Sequence, residues 1–247
     1  MKKDSVSVIL TVYKRNNILK QLNSIKTQSI KPKNITIYQN ENHFNVKEII
    51  KNFDTDIPIN IITSENNLKF HARFCIALLE KSEFICIFDD DTIPGKNWLL
   101  NCINTHKKYN CIVGANGRIV KDDYKNYNVQ RLYNVGDGKE VAKDTKVDFV
   151  GHSWFFKKEW LFNMWSEDPL TWENGEDIHF AALNKIKANI DCYVPKMTIE
   201  DKSYWGDLET HLGDDLHATF KKQDHNSTRA SIIKIYIKNY GWKIINA

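Results

Sequence analysis

An apolar run of five residues, Phe84-Ile85-Cys86-Ile87-Phe88, ends abruptly in three aspartates, Asp89, Asp90 and Asp91. A short run without polar interruption, closed by a turn, predicts a buried central strand. Three like charges at the exit of such a strand repel one another, and burying a carboxylate without a partner is costly. A shared cation resolves both problems. Hard carboxylate oxygens suit Mg²⁺ or Mn²⁺, which can also hold substrate phosphates. The alternative for the same residues is an acidic turn that hydrogen-bonds its own backbone.

The chain before this run alternates strand and helix patterns. Val6 to Val12 is β-rich and is followed by a polar turn, Tyr13 to Asn17. Ile18, Leu19, Leu22 and Ile25 then recur at helical spacing. Ile35 to Tyr38 predicts a second strand, Val46 to Phe53 a short helix and Ile59 to Ile62 a third strand. Phe70 to Leu79 predicts a helix with Phe70, Phe74, Ala77 and Leu78 as its buried stripe. Four strand–helix alternations predict an α/β fold, a mostly parallel sheet with helices on both faces. Ligands of such sheets bind at the carboxyl ends of the strands, where Tyr13, Asn40 and the aspartates lie.

The second half is less regular. Ile112 to Gly114 and Asp148 to Phe156 predict strands, Lys121 to Lys146 a long polar loop, and Cys192 to Pro195 a last strand. Gly175 to Ile186 opens with Glu176 and Asp177 and continues as an amphipathic helix, the charge order its dipole favours. Ala230 to Ile245 is aliphatic, aromatic and basic. A wide apolar arc predicts a helix packed on the domain; interleaved Trp and Lys also fit shallow contact with a bilayer surface.

Composition excludes several classes. A net charge of +4 is too mild to argue nucleic-acid binding. The five cysteines form no C-x-x-C pair and read as buried thiols in a reducing compartment, not as a disulfide frame or zinc site. Met1 to Leu10 passes straight into a strand pattern, so no signal peptide is expected, and no apolar run approaches the ~20 residues of a membrane span. These features predict a cytoplasmic protein.

In combination, VILTVYKR at the first strand exit, Arg73, FDDDTIPGKNWL, VGHSWFFKKEWL and NGEDIHFAAL stand in an order that resembles a GT-A glycosyltransferase. The triple aspartate and the last two pieces most resemble the exostosin-like, retaining transferase domain. Similar elements occur in the broad inverting glycosyltransferase family. The resemblance covers roughly residues 5 to 200 and implies a GT-A domain over 1–225, with a nucleotide-binding half to about residue 100 and an acceptor half after it, followed by a C-terminal amphipathic helix or tail.

It further implies a metal-dependent hexosyl- or N-acetylhexosaminyltransferase. The donor would be a nucleotide-diphosphate sugar of UDP-GlcNAc type, and the acceptor a glycan or lipid-linked molecule. The exostosin-like domain normally occurs in anchored secretory-pathway enzymes; with no anchor or secretory segment expected here, the acceptor is expected at the cytoplasmic face of a membrane. By analogy Asp91, with Asp89, binds Mn²⁺ or Mg²⁺, and Asp89 and Asp90 reach the ribose and sugar. Thr11, Tyr13, Arg15, Asn40 and Arg73 lie where the family holds base and diphosphate, Tyr13 for stacking and Arg15 for pairing with phosphate. Glu176 and Asp177 supply the reacting-centre carboxylate. In an inverting enzyme Asp177 is the base that deprotonates the acceptor hydroxyl. In a retaining enzyme it positions the acceptor or steadies charge at the anomeric carbon. Trp154 and His152 would face the acceptor sugar, with core packing as the alternative for Trp154. A late histidine, His211 or His217, would complete a metal shell, and Arg229 would cover the diphosphate from a mobile tail. Two other readings compete. A nucleotidyltransferase would need a glycine-rich phosphate loop, and no glycine occurs between Met1 and Val46. A non-catalytic nucleotide-sugar-binding module of the same fold would not need both acidic motifs.

Overall fold

The computed structural model describes residues 4–121, 133–216 and 218–245. The four predicted strands form as β1 (Val6–Val12), β2 (Asn34–Gln39), β3 (Ile59–Thr63) and β4 (Phe84–Phe88). All five β4 residues are buried, as an apolar strand in mid-sheet requires. β1 pairs in parallel with β2 on one side and β4 on the other, and β3 extends the sheet beyond β2. The connections are α1 (Ile18–Lys26), α2 (Val46–Ile49) and α3 (Ala72–Ala77). Helix α3 is shorter than the periodicity predicts, because Lys69, at φ 59°, turns the chain in a left-handed conformation just before it.

Beyond β4 the sheet changes character. β8 (Phe149–Lys157) lies antiparallel between β4 and β5 (Ile112–Ile119), and the full order is β3-β2-β1-β4-β8-β5-β9-β7. Here β9 is Cys192–Val194 and β7 is Thr145–Val147; β6 (Tyr133–Val135) pairs with β5. The stretch read as a polar loop therefore holds two strands in its described part. Each is three residues long, too short to leave a period-two signal. The rest of that prediction, 122–132, lies outside the described residues.

Four cysteines are buried as predicted, whereas Cys75 is exposed, because it sits on the outward face of α3. Helix α4 (Trp98–Tyr109) packs beside β5, and α5 (Leu161–Met164) beside α6 (Glu176–Ala188). The C-terminal segment is α7 (His225–Tyr240), with Ile232, Ile233 and Tyr236 buried, followed by buried Trp242 and Ile244. Its apolar stripe is thus part of the domain core. Among the described residues no helix is long and apolar enough to cross a membrane.

Candidate active site

The strand order brings the carboxyl ends of β1, β2 and β4 to one edge of the sheet, facing the start of α6. Between them lies a cleft of about 840 Å³. Twelve of the site residues named from the sequence line it, Thr11, Tyr13, Arg15, Asn40, Arg73, Asp89, Asp90, Asp91, His152, Trp154, Glu176 and Asp177, and so does Arg229.

The triple-aspartate turn is held by its backbone. Asp89 N–H and Thr92 Oγ1 both donate to His152 O, each at 3.0 Å. Asn17 Nδ2 donates to Asp90 O at 2.9 Å, and Gln21 Nε2 to Asp89 O at 2.7 Å. His152 has φ 61°, uncommon for a non-glycine residue, and this conformation directs its carbonyl at the turn. With the main chain tied from β8 and α1, the three carboxyl groups point into the cleft.

Two arginines meet them there. Arg15 Nη1 contacts Asp90 Oδ1 at 2.8 Å and Asp91 Oδ2 at 3.0 Å, while its Nε reaches Asp215 Oδ2 at 2.7 Å. The buried Arg73 bridges Asp89 and Glu176. This does not neutralise the turn. Burial, reinforced by Asp91 and opposed by Arg15, pushes the Asp90 carboxyl up to about 7. Burial and the charge of Asp89 push Asp91 up as well. Gly213 lets a later segment reach this cluster, since a Cβ there would fall 2.6 Å from Asp91 Oδ2.

The second acidic motif sits in the first turn of α6, on the far side of Arg73. Glu176 and Asp177 are both buried, yet their environments diverge. Burial, with Asp177 as neighbour, raises Glu176 despite Arg73. Burial works to raise Asp177, but the charge and hydrogen bonds of Arg229, joined by the Ile178 N–H and the charge of Arg73, outweigh it and hold that carboxyl below its usual range. Neighbouring carboxyl groups driven apart in this way are a recurring basis for separate acid–base roles.

At the opposite end, Tyr13 and Asn40 join a network that sequence reading missed. Asn67 Nδ2 donates to Tyr13 Oη at 2.9 Å, and Asn40 Nδ2 donates to Asn67 Oδ1 at 3.0 Å. Asn40 Oδ1 accepts from Tyr38 Oη and Leu68 N–H. Thr11 Oγ1 bonds Phe88 O at 2.8 Å, so its hydroxyl links β1 to the exit of β4. Asn67 lies in a polar Ser64-Glu65-Asn66-Asn67 stretch. A turn composition was legible there, but not its proximity to Tyr13.

Trp154 lines the cleft from a packed position: it is 2% exposed, and its ring carries the Arg73 guanidinium at 4.3 Å. Arg229 is not a mobile tail residue; it is 7% exposed and pairs with Asp177. His211 lies in a 3₁₀ turn beside the cleft but is not among its lining residues, and His217 lies outside the described residues. Among the described residues no group of three or more His, Cys, Asp or Glu side chains is arranged to hold a metal ion. Asp89 is turned toward Arg73, and Asp90 and Asp91 toward Arg15.

Residues 7–165 match the model of the family described as Glycosyl transferase family 2. The chain belongs to that family. The matched span runs from β1 through α5 and so includes the triple-aspartate turn, while Glu176, Asp177 and Arg229 lie beyond it. Among solved structures, the crystal structure of S. aureus TarS residues 1–349 is similar, with a TM-score of 0.55 and 15% identity over 78% of this chain and 60% of that one. A second S. aureus TarS structure gives 0.52 and 15% over 78% of this chain and 37% of that one. This chain therefore spans less than two thirds of either structure. At such identity the likeness concerns the fold, which is GT-A. No curated protein matches the chain.

Proposed function

We propose that this family 2 enzyme transfers a sugar with inversion from a UDP-linked donor to a hydroxyl of a glycan or lipid-linked acceptor, with Asp177 as general base. The observation that carries the reading is one cleft in which the triple-aspartate turn and the Glu176–Asp177 pair face each other across Arg73. Membership of family 2 supports inversion, the mechanism of the broad family that the sequence resembles, over the retaining, exostosin-like alternative.

The residues divide along the cleft. Tyr13, steadied by Asn67, is suited to stack on a pyrimidine ring. Asn40 is committed to the same network and acts by fixing Asn67 and the loop at Leu68. Arg15 and Arg73 approach the diphosphate. In the transfer the acceptor oxygen forms a bond to the anomeric carbon as the bond to the β-phosphate oxygen breaks. The bonding electrons leave with UDP, and the acceptor proton passes to Asp177. An ionised carboxylate is required at the outset, which the lowered Asp177 satisfies.

Mn²⁺ or Mg²⁺ fits the turn by charge and donor type. Oxygen ligands are supplied in excess, and burial and the charge of neighbouring aspartates, Asp91 for Asp90 and Asp89 for Asp91, raise both carboxyls, a strain that a cation would relieve. Asp91 and Asp89 would hold it, once released from Arg15 and Arg73. It would neutralise charge on the leaving diphosphate. A lipid-linked acceptor would bring the enzyme to the cytoplasmic face of a membrane.

A panel of nucleotide sugars, scored for hydrolysis with and without Mn²⁺ and with the product anomer followed by NMR, tests the reading. Release of the inverted sugar from a UDP donor is expected. Retained configuration would overturn the inverting mechanism, and no turnover with any donor would favour a binding module.

A further inference from the structure

The inward face of α7 meets the start of α6 at four successive levels. His225 Nδ1 lies 3.1 Å from Asn174 Nδ2. One turn on, Arg229 engages Asp177 through two hydrogen bonds, Nη1 to Oδ1 at 2.9 Å and Nη2 to Oδ2 at 2.7 Å. Next, Ile232 packs over Gly175, whose φ of 83° and missing side chain permit the approach; a Cβ there would fall 2.4 Å from Ile232 Cδ1. Last, Tyr236 hydrogen-bonds His179. The helix is seated closely enough to fix where Arg229 points.

Arg229 is itself fixed. Its Nη1 also donates to Asn174 Oδ1 at 3.2 Å, and its guanidinium lies 5.3 Å from the Phe149 ring centroid. On the carboxylate side, Asp177 Oδ1 accepts a further bond from Ile178 N–H at 2.8 Å. A carboxylate offers about four lone-pair directions. Three are taken here, and the planar fork of Arg229 sets the rotation of the group that presents the fourth.

We infer that Arg229 is a positioning residue for transfer: α7 delivers its guanidinium to the outer side of Asp177, orienting and charging the carboxylate that faces the acceptor hydroxyl. The inference rests on the proposed role of Asp177. It gives the C-terminal helix, which lies outside the family-matched span, a part in catalysis, and it separates Arg229 from the diphosphate. The charged and titratable groups around Asp177 are Arg229 and His225 from α7, Glu176 beside it, and Arg73 and His71 from the α3 side. Without Arg229 two adjacent buried carboxylates would share Arg73 alone as their nearby arginine, and proton uptake by one of them follows.

The test uses the full chain. Asp177 is followed by carboxyl ¹³C NMR, with Asp177→Asn giving the assignment. UDP binding is measured by calorimetry with Mn²⁺, and UDP-GlcNAc hydrolysis gives the rate. In Arg229→Gln the Asp177 titration should move up by at least one pH unit and kcat should fall tenfold or more, while the UDP Kd stays within threefold. Arg229→Lys keeps the charge but not the fork, so it should restore the titration better than the rate. An unmoved Asp177 titration in folded Arg229→Gln would overturn the inference. So would a tenfold loss of UDP affinity with kcat unchanged, which would make Arg229 a diphosphate ligand. Failure of the unaltered protein to bind UDP would count against the donor reading itself, and the titration would still decide whether Arg229 controls Asp177.

Discussion

The two acidic motifs carry similar charge but solve the problem of that charge in opposite ways. At the β4 exit, Asp90 and Asp91 remain above the usual carboxylate range even with Arg15 between them. At the start of α6, Arg229 brings Asp177 below it. The first motif is left short of positive charge, as suits a place where a cation and a diphosphate come and go. The second contains its own counter-charge, as suits a base that must be ionised before the acceptor arrives. Arg73 belongs to both, one end on Asp89 and the other on Glu176.

Removing that shared arginine should have the largest effect. Arg73→Ala leaves Asp89 and the buried Glu176 without their partner, and breaking a buried pair from one side costs about 3–5 kcal/mol. Thermal denaturation should show a large loss of stability, partly recovered when Glu176→Gln is added. A variant as stable as the parent would mean the two motifs are energetically independent.

Asp177→Asn should come next. It preserves size and removes charge, so turnover should fall about 10²-fold or more, the scale of a general base, with little change in UDP affinity. Near-normal turnover would reduce Asp177 to charge at a helix end and shift attention to Glu176.

These two residues also mark what was legible in the chain. The Phe84–Asp91 transition is local: an apolar strand and an acidic exit are both readable from eight adjacent residues, and β4 forms as predicted. Glu176 and Asp177 were readable because helix starts favour acids, and the order of motifs supplied the rest. Arg229 reads as one basic residue in a polar stretch; its partner is 52 positions away, so only tertiary packing reveals it. The same is true of Asn67 beside Tyr13. Trp154 left two readings open, because a tryptophan near a site looks alike in sequence whether it faces a ligand or supports an arginine. The antiparallel insertion of β8 was not legible either, since a buried strand has the same apolar pattern in both directions.

A pH titration of stability should separate the motifs by sign. Asp90 is raised to about 7 from an ordinary value near 3.8. Ionising it therefore costs the folded state: its contribution falls as pH rises between about 4 and 7, and is level above. Asp177 is lowered, so its contribution is present above the ordinary range and lost as pH falls through its folded value. Asp90→Asn should therefore compare better with the parent at pH 8 than at pH 4, whereas the deficit of Asp177→Asn should be level from pH 8 to pH 5 and shrink only as pH falls below the ordinary value of 3.8. Parallel pH profiles for the two variants would abolish the distinction.

The smallest effect is expected at the rim, where it asks whether the first motif really is held in reserve. Arg15 is drawn toward Asp215 as well as toward Asp90 and Asp91. The Asp215 carboxylate is more than a third exposed, and ion pairs of that kind contribute at most about 1 kcal/mol. If Asp215 competes with the diphosphate for Arg15, Asp215→Asn frees the guanidinium for phosphate, and UDP affinity with Mn²⁺ should rise by no more than about fivefold. The gain should shrink with added salt, as screening weakens the pair in the parent as well. A fall in affinity would give Asp215 the opposite role, a carboxylate recruited to the cation when the donor binds. The triple-aspartate turn would then be only part of an acidic site completed from the segment beside Gly213.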